Sequence, residues 1–342
     1  MTDPSQMSIP FCVTVAAPDA LASALADPRT LAVIRFADAP ARDPDQPRLV
    51  QTGLAPLGGT DGIEIWRSPQ PVETGTDGLF SYARTPDALL VHALVDEADY
   101  ASLEDAVEHL YREFFAVLER QGYPHQLRVW NYFHDINRER PELERYRSFC
   151  LGRHRVLEAI PDFERTLPAA TAIGTHAPGL QLYALAAREP GLQIENPRQV
   201  SAFKYPEQYG PRSPSFSRAT VKRWPGQDHF YISGTASIVG HESRHTEDAG
   251  QQIDEIMANI DALLAEADRA TGLHLASAAE LSLLKVYVRD PAHLDTVRAR
   301  VEGHLGTAVP VIYLHGDICR ADLLVEVEAL YAGDCSRVRG KD

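Results

Sequence analysis

No apolar run in this sequence approaches the roughly 18 residues that a membrane helix requires, so no membrane span is expected. Basic charge is in deficit: 33 lysines and arginines face 48 aspartates and glutamates, a net charge of −15. Nucleic acid and anionic membrane surfaces need a basic face, so neither is expected as a partner. An anionic ligand would have to be met by a few directed arginines. Cysteine is sparse. Cys12, Cys150, Cys319 and Cys335 are scattered with no C-x-x-C pair, which argues against a cysteine-type zinc site and fits free thiols in the cytoplasm. Residues 1–10 carry no basic side chain and do not read as a signal peptide. Gly58-Gly59 reads as a turn, because no phosphate-loop pattern follows it. His241-Glu-Ser-Arg-His245 spells H-E-x-x-H, but it follows a strand and Gly240 and precedes a helix cap at Thr246, and the zinc motif works only on a helix. No zinc site of these types and no phosphate loop is therefore expected.

What is present is an ordinary globular composition, 44% apolar and 24% charged over 342 residues, enough for one or two domains with a sizeable core. Apolar runs at 11–16 and 30–36 precede a Pro/Asp-rich loop at 38–47. Strands are expected at 63–66, 79–84 and 88–94. Ser102 opens a helix with Asp105 three positions on, a weak capping box. Apolar positions 107, 110, 111, 114, 115 and 118 keep helical spacing, and Gly122 ends the helix. A strand at 125–133, a helix started by Pro141 and running from Glu142 to 159, and a strand pair at 169–175 and 179–187 follow. Residues 195–219 are loop-rich, with four prolines. Irregular segments of this length are often functional. A strand at 230–238, a long helix behind Thr246, a strand at 283–288 and a short helix at 291–304 lead to the C-terminal stretch.

Residues 88–187 and 229–331 thus repeat one order: strand, long helix, strand, second helix, strand pair. Each is expected to be an α+β layer with helices on one face of a sheet. The last pair, at 309–314 and 323–330, reads as two strands around a polar turn that holds Cys319. The final strand carries Glu326 and Glu328, two acids at i and i+2 and so on one face. Buried carboxylates are costly unless paired or used, which makes this corner the candidate reaction centre. Where it has Val325-Glu-Val-Glu, the first repeat has Leu180-Gln-Leu-Tyr, so one site per chain is expected, built on the second half.

Several segments carry a resemblance. Pro214-Ser-Phe-Ser-Arg-Ala, Tyr231-Ile-Ser-Gly-Thr-Ala, Lys285-Val-Tyr-Val-Arg-Asp and Val325-Glu-Val-Glu-Ala resemble the YjgF/RidA family. Members that deaminate imines have an arginine near the start of the second-last strand; here Ala308-Val-Pro-Val-Ile has none, which speaks against deamination. The whole chain resembles a narrower family, the chorismatases, through Arg128-Val-Trp-Asn-Tyr, Glu144-Arg-Tyr-x-x-Phe-Cys-x-Gly-Arg153, Phe203-Lys-Tyr-Pro-x-x-Tyr-Gly-Pro-Arg-x-Pro-Ser-Phe, Ile232-Ser-Gly-Thr-Ala-Ser-Ile-Val-Gly-His and Asp317-Ile-Cys-Arg-Ala-Asp-Leu-Leu-Val-Glu.

The resemblance implies an α+β fold of two YjgF/RidA-like (chorismate-mutase-like) halves packed as part of a pseudo-trimer. The division is expected between an N-terminal domain at 1–168 and a catalytic C-terminal domain at 169–342. It also implies cleavage of chorismate to pyruvate and a ring product, 3-hydroxybenzoate with 4-hydroxybenzoate in some members, without metal or nucleotide. By the same resemblance Arg153 and Arg298 meet the substrate's carboxylates, Tyr205 donates a hydrogen bond, Gly234 leaves room for the ring, and Arg145 and Arg140 are further candidates. Glu326 is the expected general acid, Glu328 an exposed or salt-bridged acid, and Cys319 the residue that selects the product. The partner expected is a small molecule, for a cytoplasmic monomer or weak homo-oligomer. An imine deaminase and a non-catalytic small-molecule binder are the competing readings.

Overall fold

The computed structural model describes residues 9–59, 62–140 and 143–333. Residues 1–8, Pro141, Glu142 and Cys335 lie outside them, and with them part of the N-terminal reading and the expected start of one helix. The fold is α+β, with two larger halves of one plan, as expected, preceded by a smaller unit of N-terminal strands, so that three units follow in sequence. The first holds β1 (Cys12–Ala16), α1 (Leu21–Ala26), β2 (Thr30–Phe36), β3 (Leu49–Thr52) and β4 (Ile63–Arg67). The second holds β5 (Glu73–Asp77), β6 (Phe80–Arg84), β7 (Ala88–Val95), α2 (Leu103–Gln121), β8 (His125–His134), α3 (Arg145–Leu157), β9 (Ala169–Thr175) and β10 (Leu180–Ala187). The third holds β11 (Leu192–Ile194), β12 (Ala219–Arg223), β13 (Asp228–Ala236), the hairpin β14 (Ile238–Val239) and β15 (Glu242–Ser243), α4 (Ala249–Thr271), β16 (Leu283–Val288), α5 (Leu294–Leu305), β17 (Val311–His315) and β18 (Val325–Tyr331).

Strand order exposes the repeat. The sheets read β1-β4-β2-β3, β5-β6-β7-β10-β8-β9 and β11-β12-β13-β18-β16-β17. The last four strands of the larger sheets and all four of the first share one topology. In each, the pair at one edge is parallel, β2 with β3, β8 with β9 and β16 with β17, and the neighbouring pairings are antiparallel. A parallel neighbour needs a crossover, which α3 and α5 supply in the larger units and a loop supplies in the first. The strand pairing also moves the expected boundary: β9 and β10 belong to the second sheet, so a cut at 168/169 would split it. β17 and β18 are the expected two strands around a turn, and β16 lies between them and pairs with both.

Local chemistry sets the helices. The Ser102 hydroxyl accepts from the Asp105 amide at 3.1 Å, and Gly122 closes α2 with φ 79°. The cap of α4 is Asp248, which accepts from the Gln251 amide at 2.9 Å, rather than the expected Thr246. His241 to His245 falls on the β14–β15 hairpin and the turn after it, so its histidines do not share a helix face.

Alternate residues of the strands serve two cores. Outward residues pack on helices, as Leu89, Val91 and Ala93 do on α2, and as Val325, Val327 and Ala329 do beneath α4. Inward residues of all three sheets meet in one central core, which joins Ile34 and Trp66, Trp130 and Tyr132, and Tyr287 and Leu330. Seams join the units: Ala169 bridges Ser217, Gly174 bridges Asp317, and Pro56 bridges Leu314.

Candidate active site

β18 runs in the middle of the third sheet, between β13 and β16, and turns Glu326 and Glu328 toward the central face. Their environments are opposite. Glu328 receives Lys285 Nζ at 2.7 Å, Arg128 Nη2 at 2.8 Å, Trp130 Nε1 at 2.7 Å and the Thr171 hydroxyl at 2.6 Å. Burial alone would raise its pKa, but Lys285 and Arg128 override that and hold it at about 2. Glu326 accepts no hydrogen bond from the described residues, and burial and the charge of Glu328 push its pKa up to about 8. At neutral pH it is a carboxylic acid, the form that can give a proton.

The backbone makes room for this acid. The pairing of β13 with β18 slips between Ile232 and Thr235, which places an extra residue on β13 as a bulge. The freed amides turn elsewhere: Ser233 donates to the Arg218 carbonyl at 3.0 Å, and Gly234 donates to the Thr171 hydroxyl at 3.0 Å. Thr171 therefore joins the floor beneath Glu326 to Glu328, to which it donates.

Glu326 opens on a cavity of about 490 Å³ between the second and third units. β9 contributes Thr171, β13 contributes Gly234, α3 contributes Tyr146 and Arg153, and residues 205–218 form much of the remaining wall. Four arginines line it: Arg147 pairs with Glu144 at 3.1 Å, and each of the other three keeps one buried nitrogen with no hydrogen-bond partner among the described residues, Arg153 Nε, Arg218 Nε and Arg320 Nη2. Their other contacts fix them in place. Arg153 lies over the Tyr111 ring at 5.0 Å. Arg218 Nη2 donates to the Val200 carbonyl and the Tyr205 hydroxyl, both at 2.7 Å. Arg320 lies 3.9 Å from the Tyr209 ring centroid and donates to the His241 carbonyl at 2.9 Å. Buried donors are rarely left unpaired, and charged ones in a cavity suit an anion.

Known proteins resemble this chain over most of its length. A chorismatase of Streptomyces rapamycinicus is 41% identical over 276 residues, covering 79% of this chain and 82% of that protein. The chain belongs to the chorismatase family. A sequence model described as chorismatase FkbO/Hyg5-like, N-terminal, matches residues 64–186. A 3-hydroxybenzoate synthase of Streptomyces hygroscopicus is 34% identical over 314 residues, covering 88% of this chain and 91% of that protein. A chorismatase crystal structure superposes with a TM-score of 0.84 at 33% identity, over 95% of this chain and 99% of that one.

In this member of the chorismatase family, Glu326, Cys319, Arg153, Tyr205 and Gly234 all line the one cavity. The cavity is not built on the second half alone, since Asn131, Phe149, Arg153 and Thr171 come from the second unit of the chain. Gly234 makes room for the Glu326 carboxyl itself. The Tyr205 hydroxyl accepts from Arg218. Cys319 is half-buried, and burial and the neighbouring Glu326 push its thiol up to about 12.

Three arginines expected at the site are elsewhere. Arg298 sits on α5, outside the third sheet, where it donates to the Gly58 carbonyl at 3.0 Å and lies over the Tyr313 ring at 5.3 Å. Arg145 is buried away from the cavity: its Nη1 also lacks a partner among the described residues, but it donates to Glu97 at 2.7 Å and to the His134 carbonyl at 3.0 Å, tying α3 to the end of β8 and the segment after β7. Arg140 lines a separate surface depression with Glu97 and His134. Arg218 and Arg320 take their place. Arg218 stood inside the motif Pro-Ser-Phe-Ser-Arg, and Arg320 inside Asp-Ile-Cys-Arg, next to Cys319. Thr171 gave no signal in the sequence.

Proposed function

We propose that the chain cleaves the enolpyruvyl ether of chorismate to 3-hydroxybenzoate and pyruvate. The observation that carries this reading is Glu326, a buried acid with its pKa pushed up to about 8, facing a cavity lined by three arginines with unpaired buried nitrogens. Chorismate is a dianion, and Arg153, Arg218 and Arg320 are the groups proposed to meet its two carboxylates, with Tyr205 braced against Arg218. Glu326 delivers its proton to the methylene carbon of the enol ether. The neighbouring carbon becomes an oxocarbenium centre, a hydroxyl or water adds to it, and the C–O bond to the ring breaks to release pyruvate. The atoms of chorismate divide between hydroxybenzoate and pyruvate with no net water.

Cys319, on the cavity wall, is proposed to direct the ring toward the aromatic product, in keeping with the similarity to a 3-hydroxybenzoate synthase. A share of 4-hydroxybenzoate belongs to the same reading. So do cytoplasmic action and a monomeric or weakly associating chain; among the described residues no helix is long and apolar enough to cross a membrane. The test is purified protein with chorismate, pyruvate followed through lactate dehydrogenase, and the aromatic product identified by chromatography. Both products in equal amounts are expected, and pyruvate no higher than in an enzyme-free control overturns the proposal.

A further inference from the structure

Glu328 is one corner of a buried four-charge cluster drawn from all three units. β4 supplies Glu64, β8 supplies Arg128, and β16 and β18 supply Lys285 and Glu328. Lys285 Nζ lies 2.9 Å from Glu64 Oε1 and 2.7 Å from Glu328 Oε1, and Arg128 Nη2 lies 2.8 Å from Glu328 Oε2. None of the four side chains is more than 3% exposed. Neutral donors close the cluster: Trp66 Nε1 reaches Glu64 at 3.2 Å and Trp130 Nε1 reaches Glu328 at 2.7 Å. The Tyr183 hydroxyl sits 3.2 Å from Lys285. Two cations thus face two anions, and the count is even only because the first unit contributes Glu64. None of the four lines the cavity.

Glu326 stands just outside this cluster, two residues from Glu328 on the same strand face. The titratable and charged groups that face it are Glu328 on its own strand, Tyr287 across on β16, Arg128 from β8, Tyr146 from α3, Arg218 ahead of β12, and Cys319. Arg153, Arg320 and Glu144 line the same cavity. A charge left unbalanced in a buried cluster acts strongly on a neighbouring carboxyl, since little water screens it.

We propose that Glu64 is a positioning residue for the proposed reaction: by pairing with Lys285 it completes a neutral cluster that leaves no surplus cation to ionise Glu326, and so keeps the acid loaded. This rests on the reading of Glu326 as proton donor. It gives the first unit a part in the chemistry although it holds no residue of the cavity.

The test compares wild type, Glu64→Gln and the double variant Glu64→Gln/Lys285→Met. Two readouts are used: turnover of chorismate against pH, and infrared titration of the substrate-free protein, in which the Glu326 carboxyl is assigned by its loss in Glu326→Gln. Glu64→Gln leaves one net positive charge in the cluster, so the alkaline limb and the infrared midpoint are both expected to move down by about one pH unit. The double variant removes one charge of each sign, and both are expected to return to the wild-type position. A lower turnover with limb and midpoint unmoved, or a double variant that does not restore them, overturns the proposal. If Glu64→Gln does not fold, the single variant Lys285→Met decides: it leaves one net negative charge in the cluster, so the Glu326 midpoint is expected to move up, and an unmoved midpoint overturns the proposal. The infrared arm needs no substrate, so a failure of chorismate cleavage is told apart from a failure of the tuning.

Discussion

Gly234 and Glu326 compete for one volume: a Cβ built on residue 234 would sit 2.0 Å from Oε1 and 2.9 Å from the carboxyl carbon of Glu326. Carboxyl and glycine are therefore a single design element, held in register by the bulge in β13.

Gly234→Ala is expected to push the acid aside while the sheet persists. Misplacing a reacting group by about 1 Å costs about 100-fold in rate, so turnover should fall by that order. Overpacking should cost about 1–3 kcal/mol of stability. Circular dichroism, melting and steady-state kinetics on one preparation check it. Wild-type turnover in the alanine variant would mean that Glu326 works from another position.

Glu326→Gln keeps the shape and removes the proton. Loss of a general acid is worth about 100- to 10,000-fold, so the variant should bind chorismate with near wild-type affinity in calorimetry and release pyruvate at a small fraction of the normal rate. Loss of binding in step with turnover would instead make Glu326 a binding group.

The two acids make opposite demands on pH. Glu326 has a folded pKa of about 8, above its ordinary value. Its acid form, and the activity that depends on it, should fade as pH rises through about 8. The folded state also binds this proton more tightly than the unfolded one, so stability should decline between the ordinary carboxyl range and about 8. Glu326→Gln should flatten that decline. Glu328 is held at about 2, so its contribution is complete above the ordinary carboxyl range and disappears as pH falls toward about 2. Denaturant melts across pH would reveal both slopes. A wild type that grows more stable between pH 5 and 8, by the same amount in Glu326→Gln, contradicts the assignment.

Arg153, Arg218 and Arg320 should separate from Arg298 in kinetics. A hydrogen bond to a charged group is worth about 1.5–3 kcal/mol. Methionine at any of the three should raise KM or lower kcat/KM by about 10- to 100-fold. Arg298→Met removes a contact to Gly58 well outside the cavity and should leave kcat/KM near wild type. An equal loss in Arg298→Met would return that residue to the site.

Cys319→Ala tests product selection. Chromatography of the chorismate products should reveal a shift from 3-hydroxybenzoate toward the non-aromatic dihydroxy acid with pyruvate still released. An unchanged ratio removes the thiol from that role.

Much of the third unit was legible in the sequence because its signals are local. The spacing of Glu326 and Glu328, the apolar strand that carries them and the repeat of 88–187 at 229–331 all follow from periods of two and of 3.6 residues. The first unit was not legible for the same reason. Its helix is only Leu21–Ala26, and a loop replaces its second helix, so no long helical pattern marks it as a copy. Only the pairing order β1-β4-β2-β3 reveals it. The roles of the arginines failed at a different point. Arg145, Arg153 and Arg298 all stand on helices, and composition does not say that one donates to Glu97, one faces the cavity and one reaches Gly58. What separates Glu326 from Glu328 is likewise remote: Arg128, Trp130 and Thr171 come from another unit.

The meeting of three like sheets inside one chain has a consequence for charge. An assembly of three identical subunits repeats every side chain threefold around its axis, so any charge placed there faces two copies of itself. Covalent fusion lifts that constraint. Each copy is free to contribute something different, and here one gives a glutamate, the next an arginine, and the third a lysine with a second glutamate. The asymmetry that permits this even mixture at the centre also permits a lone acid beside it.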